Sequence, residues 1–140
     1  MSEQFKIYAE FIKDLSSETK DLETYVYVKE YLKNYNLNIE ISSQPLKNRF
    51  IEVNTKLTYQ DKNQSKLRSF FEINYTTVIK VNEDIKDKKT IEKIVLCDVQ
   101  KKIYNNLEKS FINLIKDSGF PNIKIEKKID FEQLYNQRFN

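Results

Sequence analysis

Up to Val81 the apolar residues of this chain recur at every second position, and after Lys88 at every fourth, so a sheet comes first and helices follow. Phe5, Ile7, Ala9 and Phe11 alternate with Lys6, Tyr8 and Glu10, which predicts an opening strand with one apolar face. Ile12 breaks the alternation, as a β-bulge would. Leu37, Ile39 and Ile41 alternate with Asn38, Glu40 and Ser42 until Pro45 closes a second strand. A third strand sets Ile51, Val53, Leu57 and Tyr59 opposite Glu52, Asn54, Lys56 and Thr58. The fourth turns Phe71, Ile73, Tyr75, Ile79 and Val81 inward and Phe70, Glu72, Asn74, Thr76 and Lys80 outward. The polar link from Asp61 to Ser65 suits a hairpin between strands three and four. Between strands one and two, Asp21 to Tyr35 fits neither period. Leu22, Tyr25, Val26, Lys29 and Leu32 nearly make a helical stripe, whereas Tyr25-Val26-Tyr27-Val28 favours extended backbone, which predicts irregular structure or a short helix.

Ile91, Val95, Val99, Ile103, Leu107, Phe111 and Ile115 are spaced by four, and each such step drifts about 40° around a helix. With Ile94, Leu96, Tyr104, Ile112 and Leu114 added, the apolar surface is too wide for one flat contact. Either the helix breaks near Cys97 or it is buried on two sides, the second option implying a partner subunit. Lys116, Gly119 and Pro121 mark its end: a cation in the last turn, a residue free to go left-handed, and one that forbids continuation. Asp130 and Gln133 have the spacing of a capping box before a short final helix. The fold class is therefore α+β: a four-stranded antiparallel sheet followed by a long helix and a short C-terminal helix, in a single domain spanning 1–140.

Composition limits the chemistry. There is no His, and only one Gly and one Cys, so zinc clusters, His-based acyl transfer and glycine-rich phosphate loops cannot be assembled. No catalytic residue, metal site or cofactor is expected. Asp14 with Glu18, and Glu83 with Asp84, are carboxylate pairs, but nothing specifies the cleft that would make them acid–base catalysts, and a solvated acidic edge fits them better. The lone Cys97 lies among Ile94, Val95, Leu96 and Val99 and reads as a core residue. It has no partner for an intrachain disulfide, and Met1 to Glu10 lacks the apolar stretch of a signal peptide, so a cytoplasmic location without membrane insertion is expected.

The compositional excess is the nine Tyr and nine Phe. Most suit a core or an interface. Outward rings beside basic residues would serve single-stranded nucleic acid, but the outward positions of strand four offer only Phe70 beside Glu72, and a net charge of +3 is a weak bias. The lysine pairs Lys88-Lys89, Lys101-Lys102 and Lys127-Lys128 are scattered and read as a solvated face. A third use is an apolar groove for non-native polypeptide, to which Tyr25, Tyr27, Tyr31 and Tyr35 are suited.

Three short stretches carry a resemblance. Ile12-Lys13-Asp14-Leu15-Ser16-Ser17-Glu18 resembles the opening strand of the SecB family of bacterial export chaperones. Ser118-Gly119-Phe120-Pro121-Asn122-Ile123 looks like that family's Gly-Phe-Pro turn after the long helix, and Ile129-Asp130-Phe131-Glu132-Gln133-Leu134-Tyr135 like its closing helix. The likeness runs from about Phe5 to Arg138. It implies an ATP-independent holdase that binds unfolded precursor proteins, hands them to the SecA motor and assembles as a homotetramer, a dimer of dimers, with no nucleic-acid partner. Carried over by position, it places SecA docking on Asp14, Glu18, Phe70 and Glu72, and client grooves loosely on Tyr25, Tyr27, Leu37 and Ile39. Phe71, Ile73 and Tyr75, with Ile103, Leu107 and Phe111 of the long helix, fall to assembly interfaces. The chain differs from the family pattern in Cys97-Asp98 for Cys-Pro, Glu108 for an Arg, Lys20 for a Pro, and a basic rather than acidic balance. Those differences leave open another client, such as an antitoxin, while the aromatic excess keeps the nucleic-acid module as the rival from another class.

Overall fold

The opening strand, β1 (Phe5–Glu18), has 14 residues against the 12 of β4 (Phe70–Val81), with which it pairs antiparallel. The two surplus residues are bulges. Tyr8 is extra between the pairs Ile7 with Ile79 and Ala9 with Val78, and Lys13 between Ile12 with Tyr75 and Asp14 with Asn74. The bulge read at Ile12 is therefore present, one residue on, and Tyr8 adds a second. That addition corrects the face assignment: Phe5 and Ile7 point inward, but Ala9 and Phe11 stand opposite the outward Val78 and Thr76. The computed structural model describes residues 4–125 and 128–139; what the sequence suggests for Met1 to Glu3, Lys127 and Asn140 lies outside the described residues.

From β1 the chain enters α1 (Leu22–Tyr31), whose N-terminus is capped by Asp21: the backbone N–H of Thr24 donates to Asp21 Oδ1 at 2.9 Å. The stretch between Asp21 and Tyr35 is thus helix, finished by a 3₁₀ turn over Leu32–Asn34, because the cap and the inward Thr24 and Val28 outweigh the β-branched run. It carries the chain to the far edge of the sheet, where β2 (Tyr35–Pro45) pairs with β3 (Phe50–Asp61), and β3 with β4. The order is β1-β4-β3-β2, all antiparallel. Between β2 and β3 the backbone turns through Asn48 and Arg49, both at positive φ, and the Arg49 guanidinium donates to the carbonyls of Asn82 and Ile85, tying that turn to the exit of β4.

Alternation in β3 and β4 holds as read. Val53, Leu57, Tyr59, Phe71, Ile73, Tyr75, Ile79 and Val81 are buried, with Ile51 half-buried among them. The helices close over this face: α2 (Lys88–Lys93), a π-helical turn at Ile94–Asp98, and α3 (Val99–Asp117), with α4 (Phe131–Phe139) beyond. The π turn resolves the apolar drift. Its wider winding brings four consecutive residues, Ile94 to Cys97, into the core, and α3 continues without a break. Gln100 enters the core with them; its Nε2 donates to the Val95 carbonyl at 3.2 Å and its Oε1 accepts from Thr55 Oγ1 at 3.0 Å. A π turn loosens the carbonyl ladder, and this amide reties it to the sheet.

The six residues that the resemblance gives to assembly lie in the chain's own core. Phe71, Ile73, Ile103, Leu107 and Phe111 are wholly inaccessible within a single chain, and Tyr75 nearly so. The stripe of α3 finds its partner in its own sheet, and the flank bearing Tyr104 is covered by α4, with Tyr104 and Phe131 edge to face at 5.3 Å. The helix end is as read: Gly119 takes φ 109, and Asp130 Oδ1 accepts the Gln133 N–H at 3.1 Å to start α4.

Candidate functional site

A groove of about 490 Å³ lies where α1, the start of β2 and the segment after Gly119 converge. Cross-strand pairing builds its ring cluster. Leu37 pairs with Tyr59 and Tyr59 with Phe71, so the rings of Tyr35, Tyr59 and Phe71 gather on one face, with Tyr35 and Tyr59 centroids 5.5 Å apart. The Gly119 turn brings in Phe120, which meets Phe71 edge to face at 5.7 Å. Behind it Tyr25 packs on Phe120 and donates its hydroxyl to the Gly119 carbonyl at 2.7 Å. Leu32, Leu37, Ile123 and Ile125 complete the apolar lining, and Lys29, Lys33 and Lys124 supply its charge.

The polar atoms of these rings are occupied. Tyr35 Oη accepts the Ser69 N–H at 2.9 Å, and burial, partly offset by that bond, pushes its pKa upward; burial likewise raises that of Tyr59. Asp61, at the end of β3, is buried, which works against its charge, but the hydrogen bonds of Ser65 and Asn63 outweigh burial and hold its pKa below the usual carboxylate range. Among the described lining residues, no nucleophile–base pair faces the groove.

Of the four client residues carried over, Leu37 lines the groove and Tyr25 buttresses it. Ile39 continues the inward face of β2, half-buried, outside the lining, and Tyr27 stacks on Tyr31 at 4.5 Å instead. Tyr59 and the three lysines were not singled out. Strand parity placed Tyr59 inward, but only the register of β2 against β3 brings it beside Tyr35.

The opposite face of the sheet gathers the other set. Asp14 stands across from Asn74, Ser16 from Glu72 and Glu18 from Phe70, so Asp14, Glu18, Phe70 and Glu72 share one outward surface on neighbouring strands β1 and β4. Glu72 Oε1 lies 3.7 Å from Lys56 Nζ, which also reaches Glu40 at 3.4 Å. Further along, the Tyr8 bulge sets Tyr8 against Phe50 at 5.1 Å, with Lys6 over Tyr8 and Lys80 over Phe50. Large apolar side chains remain uncovered along β1: Tyr8 (55% exposed), Phe11 (48%), Ile12 (44%) and Leu15 (46%). As an edge strand β1 also has a row of backbone groups with no neighbour on one side.

Among the described residues, no cluster of His, Cys, Asp and Glu could hold a metal ion, and no helix is long and apolar enough to cross a membrane. Cys97 is fully buried, and desolvation raises its thiol pKa. A four-stranded antiparallel sheet with a long helix and a short C-terminal helix is the architecture of a SecB-like fold. The family model described as Preprotein translocase subunit SecB matches residues 1–140. The putative protein-export protein SecB of Pelagibacter ubique (strain HTCC1062) is 53% identical, with 100% of both chains covered. The protein-export protein SecB of Rhodospirillum rubrum is 25% identical over 94% of this chain and 80% of its own length. Among solved structures, a Mycobacterium tuberculosis SecB-like chaperone, in complex with a peptide from an antitoxin, superposes with a TM-score of 0.63 at 11% identity. That superposition covers 89% of this chain and 91% of the other, and shows the shared fold. The chain belongs to the SecB family of protein-export chaperones.

Proposed function

We propose that this protein is an ATP-independent holdase that keeps precursor proteins unfolded and delivers them to the SecA translocation motor. The groove of rings at the junction of α1, β2 and the Gly119 turn carries this reading. Its described lining is mostly rings and aliphatic side chains with no reactive group among them, which suits reversible capture of many apolar segments and no single small molecule. Leu37 lies in the seat, Tyr25 sets its back wall, and Ile39 and Tyr27 extend the client surface beyond it.

SecA docks on the opposite face through Asp14, Glu18 and Glu72, with Phe70 as their apolar neighbour. This separation lets client and motor be held at once. The chain acts as one domain over residues 1–140, in the cytoplasm, without membrane insertion or a nucleic-acid partner. It assembles as a homotetramer, and the uncovered edge and apolar side chains of β1 support an assembly surface there rather than on the buried residues of β4 and α3.

The test is titration of a fluorescently labelled, chemically unfolded secretory precursor without ATP, with its folded form and single-stranded nucleic acid as controls. Selective binding of the unfolded form, undisturbed by nucleic acid, is expected. Displacement by nucleic acid, with affinity falling steeply as salt rises, would instead assign the surface to a nucleic-acid module. Capture of an unfolded antitoxin but of no precursor would keep the holdase and change its client.

A further inference from the structure

Among its described lining residues the groove carries charge of one sign only. Lys29 of α1 and Lys33 of the following turn line it from one segment, and Lys124, after the Gly119 turn, lines it from another. All three are exposed and none belongs to an ion pair among the described residues. No carboxylate is among the described lining residues. Asp61, at the far end of the strand that carries Tyr59, already has both oxygens committed to the N–H groups of Asn63 and Ser65. The chain as a whole carries 21 acids to 24 bases, so the lack of a carboxylate among the described lining residues is a local feature and not a consequence of scarcity.

We propose that the groove selects client segments in which an aromatic or large aliphatic side chain is flanked by acidic residues, and disfavours segments with basic flanks. This rests on the groove being the client seat. The rings and Leu37 accept the apolar side chain, which supplies most of the affinity and little discrimination among sequences. The ammonium groups stand on exposed parts of the lining, where an extended segment's neighbouring residues emerge. An acidic flank meets positive charge there, and a basic flank meets like charge with no carboxylate among the described lining residues to relieve it. Each contact is solvated and modest alone, but three acting on one short segment together shift affinity by about five- to tenfold at low ionic strength.

Three short fluorescent peptides with the same Leu-Phe centre, flanked by Asp and Glu, by Ser and Gln, or by Lys and Arg, are titrated into the full-length protein and followed by anisotropy. Acidic flanks are expected to bind about five- to tenfold tighter than neutral ones at low salt, basic flanks more weakly than neutral, and the spread to close in concentrated salt. Lys29→Glu combined with Lys33→Glu changes two exposed positions of the lining and leaves the rings intact; it should erase or invert the order of the three peptides. Asn122→Trp, at an exposed position of the lining, fills the groove and should weaken all three peptides. Equal affinity for the three peptides, all lost in Asn122→Trp, would overturn the charge selection and leave the client seat standing. Binding that Asn122→Trp leaves unchanged would overturn the client seat itself.

Discussion

Gly119→Ala tests whether the groove is held by one contact between backbone and ring. Gly119 sits at φ 109, where a side chain is strained, and a Cβ there would come within 2.7 Å of Tyr25 Cε1. The strain alone costs about 1–3 kcal/mol. Tyr25 cannot simply retreat, because its hydroxyl is bonded to the Gly119 carbonyl at 2.7 Å and its ring packs on Phe120 with centroids 5.2 Å apart. Losing that hydrogen bond adds about 0.5–1.5 kcal/mol, so the substitution should cost roughly 2–4 kcal/mol. Urea unfolding at fixed protein concentration, with a slope of about 2 kcal/mol per molar, should show the midpoint falling by about 1–2 M. Tyr25→Phe keeps the ring and should lose only the hydrogen-bond share. Tyr25→Ala made together with Gly119→Ala removes the clash, so the two costs should fall short of additive by about 1 kcal/mol or more. A midpoint for Gly119→Ala within about 0.3 M of the parent, or strict additivity with Tyr25→Ala, would refute the account.

Thr55→Val should cost about 1–3 kcal/mol in the same assay, because it leaves the Gln100 amide oxygen unpaired in the core; a neutral result would show that the pair does not stabilise the π turn. Glu72→Lys, by contrast, should change stability by less than about 1 kcal/mol, since its ion pair with Lys56 is solvent-accessible, yet should weaken SecA association at least about tenfold with groove-peptide affinity unchanged. Unaltered SecA binding would remove Glu72 from the docking surface. Alkaline stability should follow the buried phenols. Burial, then the hydrogen bond to Glu10, raises Tyr75 from 10.0 to about 12, and burial raises Tyr35, Tyr59 and Tyr104, the last also through neighbouring Glu108. A phenol whose folded pKa lies above its unfolded one leaves stability unaffected below the unfolded value and removes it as pH climbs from 10.0 through about 12. Melting temperature against pH, read beside phenolate absorbance, should show that window, and Tyr75→Phe should lessen the loss.

The sequence legibly encodes what depends on period and punctuation. The inward faces of β3 and β4, the stop at Gly119 and the cap at Asp130 follow from local chemistry, and the structure keeps them. What escaped depends on relations between distant segments or on small departures from regularity. One extra residue at Tyr8 turns Ala9 and Phe11 to the other face, and no alternation count registers it until the strand is laid against β4. A five-residue π turn absorbs apolar drift that a purely α-helical wheel resolves only with a break or a second buried side, and Ile103, Leu107 and Phe111, which the resemblance gives to assembly, fill the chain's own core. Asp21 is a strong cap, but its value depends on Thr24 and Val28 having a sheet to pack against. The three acids Asp14, Glu18 and Glu72 and their neighbour Phe70 follow from the resemblance, and register sets them on one face. The groove's rings meet only through two strand pairings and the Gly119 turn, and its lysines carry no pattern that distinguishes them from other exposed lysines.

The two bulges of β1 stand in the relation of a frameshift and its suppressor. Up to Ile7 odd-numbered residues face the helices; after Tyr8 the even-numbered ones do, through Ile12; after Lys13 the odd frame returns for Leu15 and Ser17. Both ends of the strand are thus read against β4 in one frame and the middle in the other. Phe11 and Ile12, in that shifted middle, sit back to back and both exposed, which an unbroken frame would also allow, but with their faces exchanged. Insertions and deletions confined between the two bulges are therefore silent for Phe5 and Leu15 when they come in compensating pairs. A lineage could rewrite the free edge of this sheet without re-indexing the residues that hold it to its neighbour.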